Sequence, residues 1–284
     1  MTTRKLHAIV LAVAAIFVTA CDNVDLFMAT SAGIDAARAI TLSDQAVQKI
    51  SAATSSHIDQ QHHIAASEHA YAQRLQQVLG RNAQPDTAAF NYKVYLTREV
   101  NAFAMADGTI RIFAGLMDML NDEELLFVIG HEMGHVELKH IHEKLRLAYA
   151  ASATRKAAAS IDGAIGDLAR SELGAFIQLI ANAQFSQHEE READDYGLEF
   201  LRSNGLQPQA AVSALQKLAT LGSNHSFLSS HPAPEKRAER ISAQIEGKPV
   251  ADEEGDGQQG IFSRIVAAVA GFVKKILLWL GSLF

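Results

Sequence analysis

Two histidines four residues apart, with a glutamate beside the first, carry the densest chemistry of the chain: His131-Glu132-Met133-Gly134-His135. On a helix, positions four apart lie on one face at adjacent turns, so both imidazoles project together. Two neutral ring nitrogens placed in this way can share one tetrahedral Zn²⁺ at about 2.0–2.1 Å. Glu132 then stands where it can take a proton from a metal-bound water rather than ligate the metal. A five-residue pattern also arises by chance in His-rich chains, and this one has 12 His. The competing account is a pair of ordinary helix-surface histidines. Context weighs against it, because the motif continues the apolar run Leu125, Leu126, Val128 and Ile129, where three unpaired ionisable groups are costly.

Two histidines leave a catalytic zinc site one protein ligand short. The segment from Phe185 to Asp195 offers carboxylates. Glu190 and Asp194 are one helical turn apart, so one can reach the metal while the other supports a histidine N–H. Spacing alone does not choose among Glu189, Glu190 and Glu192. A third stretch, Ser230-His231-Pro232-Ala233-Pro234-Glu235-Lys236-Arg237, contains a His before Pro, which is more often a surface residue than a catalyst.

The helix that must carry the first motif starts near Asn121-Asp122-Glu123-Glu124, where Asn121 or Asp122 can cap and the acidic residues complement the helix dipole. Before it, Tyr92–Leu96 alternates like a strand, and Asn101–Ala104 and Thr109–Phe113 read as two more, the latter pair joined by Ala106-Asp107-Gly108. From Asp122 to Ile245 the pattern is almost entirely helical. From Ser31 to Leu79 about two helices are expected, with Val47, Ile50, Ala53 and Ile58 as an apolar stripe. His57, His62, His63 and His69 lack a fixed ligand pattern and read as a solvated polar face, and His140 and His142 read likewise. The expected fold class is α+β and predominantly helical, with a small β element beside the motif helix.

These motifs resemble the HtpX/Oma-type gluzincin metallopeptidases. The resemblance rests on His131–Val136, on Ser186…Glu190-x-x-Ala193-Asp194, and on His231-Pro232…Arg237, in that order, and covers about residues 40–245. Asn101–Ala104 with Gly108, and Gly115-Leu116-Met117-Asp118, fit the LoiP-like branch of periplasmic lipoproteins. The resemblance implies a zincin-like domain and zinc-dependent endopeptidase activity on envelope proteins. It assigns His131, His135 and Glu190 to the zinc, Glu132 to proton transfer, and Asp194 to support of a ligand. It also implies that the strand at Asn101–Ala104 pairs with an extended substrate. The family has Ser-Arg before its glutamate where this chain has Ser186-Gln187, which leaves the ligands untouched. In the family the histidine matching His231 faces the zinc cleft, accompanied by the arginine matching Arg237. His231 then has two possible roles, as an oxyanion donor or as a plug that approaches the metal and holds the enzyme latent.

Composition and the chain ends add the setting. With 48% hydrophobic and 20% charged residues a packed core is available, and a net charge of −7 argues against nucleic-acid binding. One cysteine excludes an intrachain disulfide framework or a Cys-based zinc ribbon. Arg4, Lys5 and His7 precede an apolar run from Ala8 to Val18, too short to span a bilayer but suited to a signal peptide of residues 1–20. Val18-Thr19-Ala20-Cys21 resembles a bacterial lipobox, which makes Cys21 the acylated residue and the protein a periplasm-facing lipoprotein. Asp22-Asn23 resembles an inner-membrane retention signal, whereas the branch points to the outer membrane, which is the reading taken. Residues 21–246 form the peptidase domain and 247–260 an acidic linker. In 261–284, Ile265, Val269, Phe272, Val273, Ile276, Leu280 and Leu283 repeat at helical spacing beside Arg264, Lys274 and Lys275, with Trp279 near the end. That pattern reads as an amphipathic helix on a membrane surface. The rival to the enzyme is an envelope chaperone with a structural or latent zinc site, closed by a fourth protein ligand.

Overall fold

The computed structural model describes residues 41–81, 90–149, 185–222 and 225–249, together with 31, 33–35, 37 and 152. Cys21 and the signal segment, residues 250–260 of the linker and the tail 261–284 lie outside the described residues. The described residues fall into two compact units, one that includes 41–61, 105–107 and 139–149, the other 62–81, 90–104, 108–138, 185–222 and 225–249.

In the first unit, Ser43 caps α1 (Asp44–Asp59) by accepting from the Ala46 N–H at 3.2 Å. The buried face of α1 is Val47, Ser51, Thr54 and Ser55; Ala53 is exposed and Ile50 and Ile58 only half-buried. The expected stripe drifts because Ala53 lies ~120° round the helix from Val47, so small hydroxyl residues fill the inner face instead. A left-handed Lys139 (φ 62) precedes a helical run over 140–149. His140 is buried there rather than on a polar face. His142 is half-buried, with Nδ1 3.1 Å from Asp44, which also accepts from Lys139 at 2.7 Å. The Lys139 ammonium holds the Asp44 carboxyl below its ordinary range. His57 is half-buried.

The second unit holds the motifs. α2 (Ala70–Arg81) is fixed by Arg74, which donates to Asp122 at 2.9 Å and to the Leu120 carbonyl at 2.7 Å. Three strands follow, β1 (Asn91–Tyr95), β2 (Ala102–Ala104) and β3 (Thr109–Phe113), in the order β1-β3-β2. β3 is central and wholly buried, parallel to β1 and antiparallel to β2, with Ala102 opposite Ile112 and Ala104 opposite Ile110. His63 is exposed, whereas His62 is half-buried and stacks on Tyr95 at 4.4 Å. The side chain expected to be solvated thus covers an aromatic ring of the sheet.

β3 runs directly into α3 (Ala114–Met119), where Gly115 is required: a Cβ there would stand 2.2 Å from the Arg98 carbonyl oxygen. α4 (Asp122–Glu137) then starts with a capping box. Asn121 accepts from the Glu124 N–H at 2.9 Å, and Glu124 accepts from the Asn121 N–H at 2.8 Å. Glu124 also accepts from Lys217 (2.7 Å) and Ser213 (2.5 Å) of α6 (Gln209–Ala219), which ties that helix to the start of α4. Every α4 residue from Glu124 to His135 is buried. The remaining elements are α5 (Gln187–Ser203), α7 (Ser226–Ser230) and α8 (Pro234–Ile245). Among the described residues no helix is long and apolar enough to cross a membrane.

α4 and α5 meet backbone to backbone. A Cβ on Gly134 would lie 2.9 Å from Tyr196 Cβ and 3.1 Å from Ala193 Cα, and one on Gly130 3.1 Å from Gly197 Cα. A Cβ on Gly197 would meet the Phe127 carbonyl oxygen at 3.0 Å and the His131 nitrogen at 3.1 Å. Gly197→Ala gains about 1 kcal/mol in helix propensity but overpacks against two backbone groups, at a cost of about 1–3 kcal/mol. The expected result is a lower Tm together with weaker zinc retention in chelator competition, because the substituted atom pushes against the residue that carries His131.

Candidate metal centre

The two motif helices deliver their side chains to one buried point. His131, His135, Glu190 and His231 each offer a ligand atom, and these atoms all lie within 4.8 Å of one another. All four residues are at most 2% exposed. His131 Nε2 is 3.1 Å from His135 Nε2 and 3.2 Å from His231 Nδ1, and His135 Nε2 is 3.3 Å from Glu190 Oε1. Donors about 2.0–2.1 Å from a tetrahedral zinc stand roughly 3.4 Å apart, so this spacing suits the metal. Burial pushes His135 well below its ordinary pKa, which keeps it in the neutral form a ligand requires. Formal charge gives a second test. Three buried carboxylates, Glu132, Glu190 and Asp194, face one buried guanidinium, Arg237. A divalent cation offsets the remainder.

Helix capping separates the three glutamates that spacing left open. Ser186 opens α5 with a capping box: its hydroxyl accepts from the Glu189 N–H at 3.2 Å, and Glu189 accepts from the Ser186 N–H at 2.7 Å. Glu189 is thereby occupied at the helix start. Glu192 is on the outer side, with its side chain 43% exposed and 3.4 Å from His188. Glu190 turns inward. The Ser-x-x-Glu signature of that box is present in the sequence and is the signal by which Glu189 could have been set aside.

Asp194 occupies the far side of His131. Its Oδ1 is 3.0 Å from His131 Nδ1, which leaves Nε2 facing the donor cluster. Arg237 grips Asp194 with two hydrogen bonds, Nε to Oδ2 at 2.8 Å and Nη2 to Oδ1 at 2.6 Å, and its Nη1 contacts Glu190 Oε2. Burial works against ionisation of both carboxylates, but the Arg237 charge, with the histidines, outweighs it and holds Glu190 well below and Asp194 below the carboxylate range. The same carboxylates, against the effect of burial, raise Arg237. Arg237 thus bridges Glu190 and Asp194 of α5, a role no local sequence pattern signals.

His231 closes the cluster from a different element. It is the C-cap of α7, stacks on Phe227 at 4.7 Å, and points Nδ1 at Glu190 Oε1, 2.9 Å away. Its other nitrogen, Nε2, is 3.4 Å from Glu132 Oε1. Glu132 is 1% exposed, and this oxygen has no hydrogen-bond partner. Phe185 stacks on His135 at 3.7 Å and walls the remaining side.

A helix bearing His-Glu-x-x-His, a second helix bearing the acidic residues, and a small sheet beside them define a zincin-like metallopeptidase. The chain belongs to peptidase family M48, whose model matches residues 65–245. It is 41% identical over 243 residues to metalloprotease LoiP of Escherichia coli, covering 84% of this chain and 96% of that protein. To metalloprotease YcaL of the same organism it is 38% identical over 251 residues, covering 86% and 97%. A beta-barrel assembly-enhancing protease of Yersinia pestis is 29% identical over 181 residues, 59% of this chain and 37% of that protein. The chain is therefore a metalloendopeptidase that uses zinc.

Loss of the carboxylate behind His131 is expected to reduce zinc affinity by about 10–100-fold in Asp194→Asn, the usual effect of removing an outer partner of a metal-ligating histidine. Titration of the metal-free variant with zinc against a competing chelator reads this directly.

Proposed function

We propose that this protein is a zinc endopeptidase of the bacterial cell envelope whose resting centre is held closed by His231. The observation that carries the reading is the four-donor cluster with a buried, unsatisfied Glu132 oxygen against it. His131, His135 and Glu190 are the ligands of the working enzyme. Zinc, when bound there, supplies Lewis-acid polarisation of a peptide carbonyl and makes water a stronger acid. Glu132 is the proton carrier: its carboxylate takes the proton of the attacking water and returns it to the leaving amide nitrogen. Asp194 orients His131, and Arg237 holds Asp194 and Glu190 in register, so both serve position rather than proton transfer.

A closed four-ligand zinc is also the mark of a structural site. Glu132 separates the two cases, because a structural centre has no use for a buried carboxylate oxygen left without a hydrogen bond beside the donors. Of the two roles open to His231, the geometry favours the plug: Nδ1 lies among the donors, and with Glu132 buried behind it no peptide reaches the carboxylate until His231 withdraws.

The envelope setting rests on the lipobox-like Val18-Thr19-Ala20-Cys21 and on likeness to a protease whose name ties it to beta-barrel assembly. In this reading residues 1–20 are a signal peptide, Cys21 is acylated, 247–260 is a linker and 261–284 lies on the membrane surface, with envelope proteins as substrates and the outer membrane as the site.

Digestion of casein by purified protein, with metal content measured in parallel, tests the catalytic assignment. Glu132→Gln is expected to retain zinc and lose activity by about 10²–10⁴-fold. His231→Ala is expected to raise activity; a fall of the same order would assign it to oxyanion stabilisation instead. For the anchor, Cys21→Ser is expected to abolish acylation, read by mass spectrometry of the membrane fraction.

A further inference from the structure

The placement of His231 depends on a contact far from the metal centre in sequence. His231 and α7 behave as one piece: the His231 N–H donates to the Phe227 carbonyl at 2.9 Å, and its ring stacks on that of Phe227. Five residues form too short a helix to fix itself, so tertiary contacts must locate it. On either side the backbone passes through left-handed residues, Gly222 (φ 77) before and Ala233 (φ 54) after. Among the described residues, contacts that hold α7 include the buried Phe227 and Leu228, the Phe185 N–H donating to the Ser230 carbonyl at 3.1 Å, and a side-chain tether, the Ser226 hydroxyl donating to Glu99.

Glu99 is a fixed post. It belongs to the connection between β1 and β2, and that connection rests on α3 at Gly115, whose N–H donates to the Thr97 carbonyl at 3.0 Å. Because Gly115 has no side chain, the Arg98 and Glu99 carbonyls can lie against it. The Glu99 N–H donates to Thr97 Oγ1 at 3.3 Å, which further sets the turn. β2, the strand that follows, is an edge of the sheet.

We infer that Glu99 is a positioning residue: through Ser226 it holds α7 so that His231 sits in the donor cluster and shields Glu132. The inference rests on the reading of His231 as the fourth donor of the resting centre. Both partners are exposed, so water competes for this bond and it can open without unfolding the helices that carry the other ligands. The tether joins the connection entering the edge strand to the residue that closes the centre.

The test uses the full chain with cobalt(II) in place of zinc, because the visible spectrum of cobalt reports the number and kind of its ligands whether or not the enzyme turns over. His231→Ala supplies the reference spectrum for a centre without that donor. Glu99→Ala and Ser226→Ala are each expected to move the spectrum toward that reference and to raise kcat by about threefold to tenfold with KM little changed, the effect of one lost hydrogen bond. The double variant is expected to add nothing beyond either single one, since both remove the same contact. Ser226→Thr and Glu99→Gln keep a donor and an acceptor and are expected to restore the wild-type spectrum in large part. Wild-type spectra and kcat in both alanine variants, with His231→Ala altered, overturn the tether and leave the fourth-donor reading standing. A wild-type spectrum in His231→Ala overturns the reading of His231, and the tether falls with it. Ser226 is an exposed serine, so its alanine variant folds and decides the matter even if Glu99→Ala does not.

Discussion

The centre depends on how closely α4 can approach α5. Gly130, Gly134 and Gly197 leave no side chain between the two backbones, so nearest atoms meet at about the van der Waals limit. Side chains of ordinary size would hold two helices 8–10 Å apart and widen the space between their ligands. Here the short imidazole and carboxylate stems of His131, His135 and Glu190 must span the gap to donor separations of a little over 3 Å. That reach is available only if the backbones themselves are in contact. The catalytic geometry is thus set by what three positions lack.

Close approach buries charge, and the second constraint follows from it. Asp194, Glu190 and Glu132 are all taken out of water within one small volume, each at a large desolvation cost. Arg237 answers for the first two through a rigid planar fork that a lysine could not reproduce. Glu132 has no such partner, only the edge of His231 at 3.4 Å. The arrangement separates the carboxylates by task. Glu190 and Asp194 are locked by a fixed cation, whereas Glu132, the proposed proton carrier, keeps one oxygen without a hydrogen bond.

What the sequence makes legible follows the range of the interactions concerned. The helix of His131 and His135, its capped start at Asn121 or Asp122, and the three strands are local patterns, read from periodicity and turn residues, and the strand limits differ by only one residue at β1 and β2. Glu190 was one of three candidates because choosing it requires knowing which glutamate the helix start consumes. The double grip of Arg237 and the contact between His231 and Glu190, 41 positions away in sequence, arise from packing and leave no spacing to read. The α1 stripe failed for the opposite reason: apolar residues are present, but burial there selects small hydroxyl side chains. His140 and His142 show the same limit, since a polar residue type says little about exposure: His140 is buried and His142 is half-buried beside Asp44.

The turn after His231 shows that its position is enforced. Ala233 stands between Pro232 and Pro234 with φ 54 and ψ 49, a left-handed conformation that costs a non-glycine residue about 1–2 kcal/mol. Proline after it disfavours helical backbone still further. Pro234 in turn starts α8 at the position where a missing N–H costs nothing, and one turn on that helix presents Arg237. A strained alanine is kept where the surrounding structure over-determines it. Here it redirects the chain within three residues from His231, which closes the centre, to the helix whose arginine secures its carboxylates. One tight corner therefore aims both His231, at the donor cluster, and Arg237, at the carboxylates of Glu190 and Asp194. Movement of His231 can be confined to α7, on the near side of that corner, while Arg237 remains packed in α8 and the three other donors keep their places.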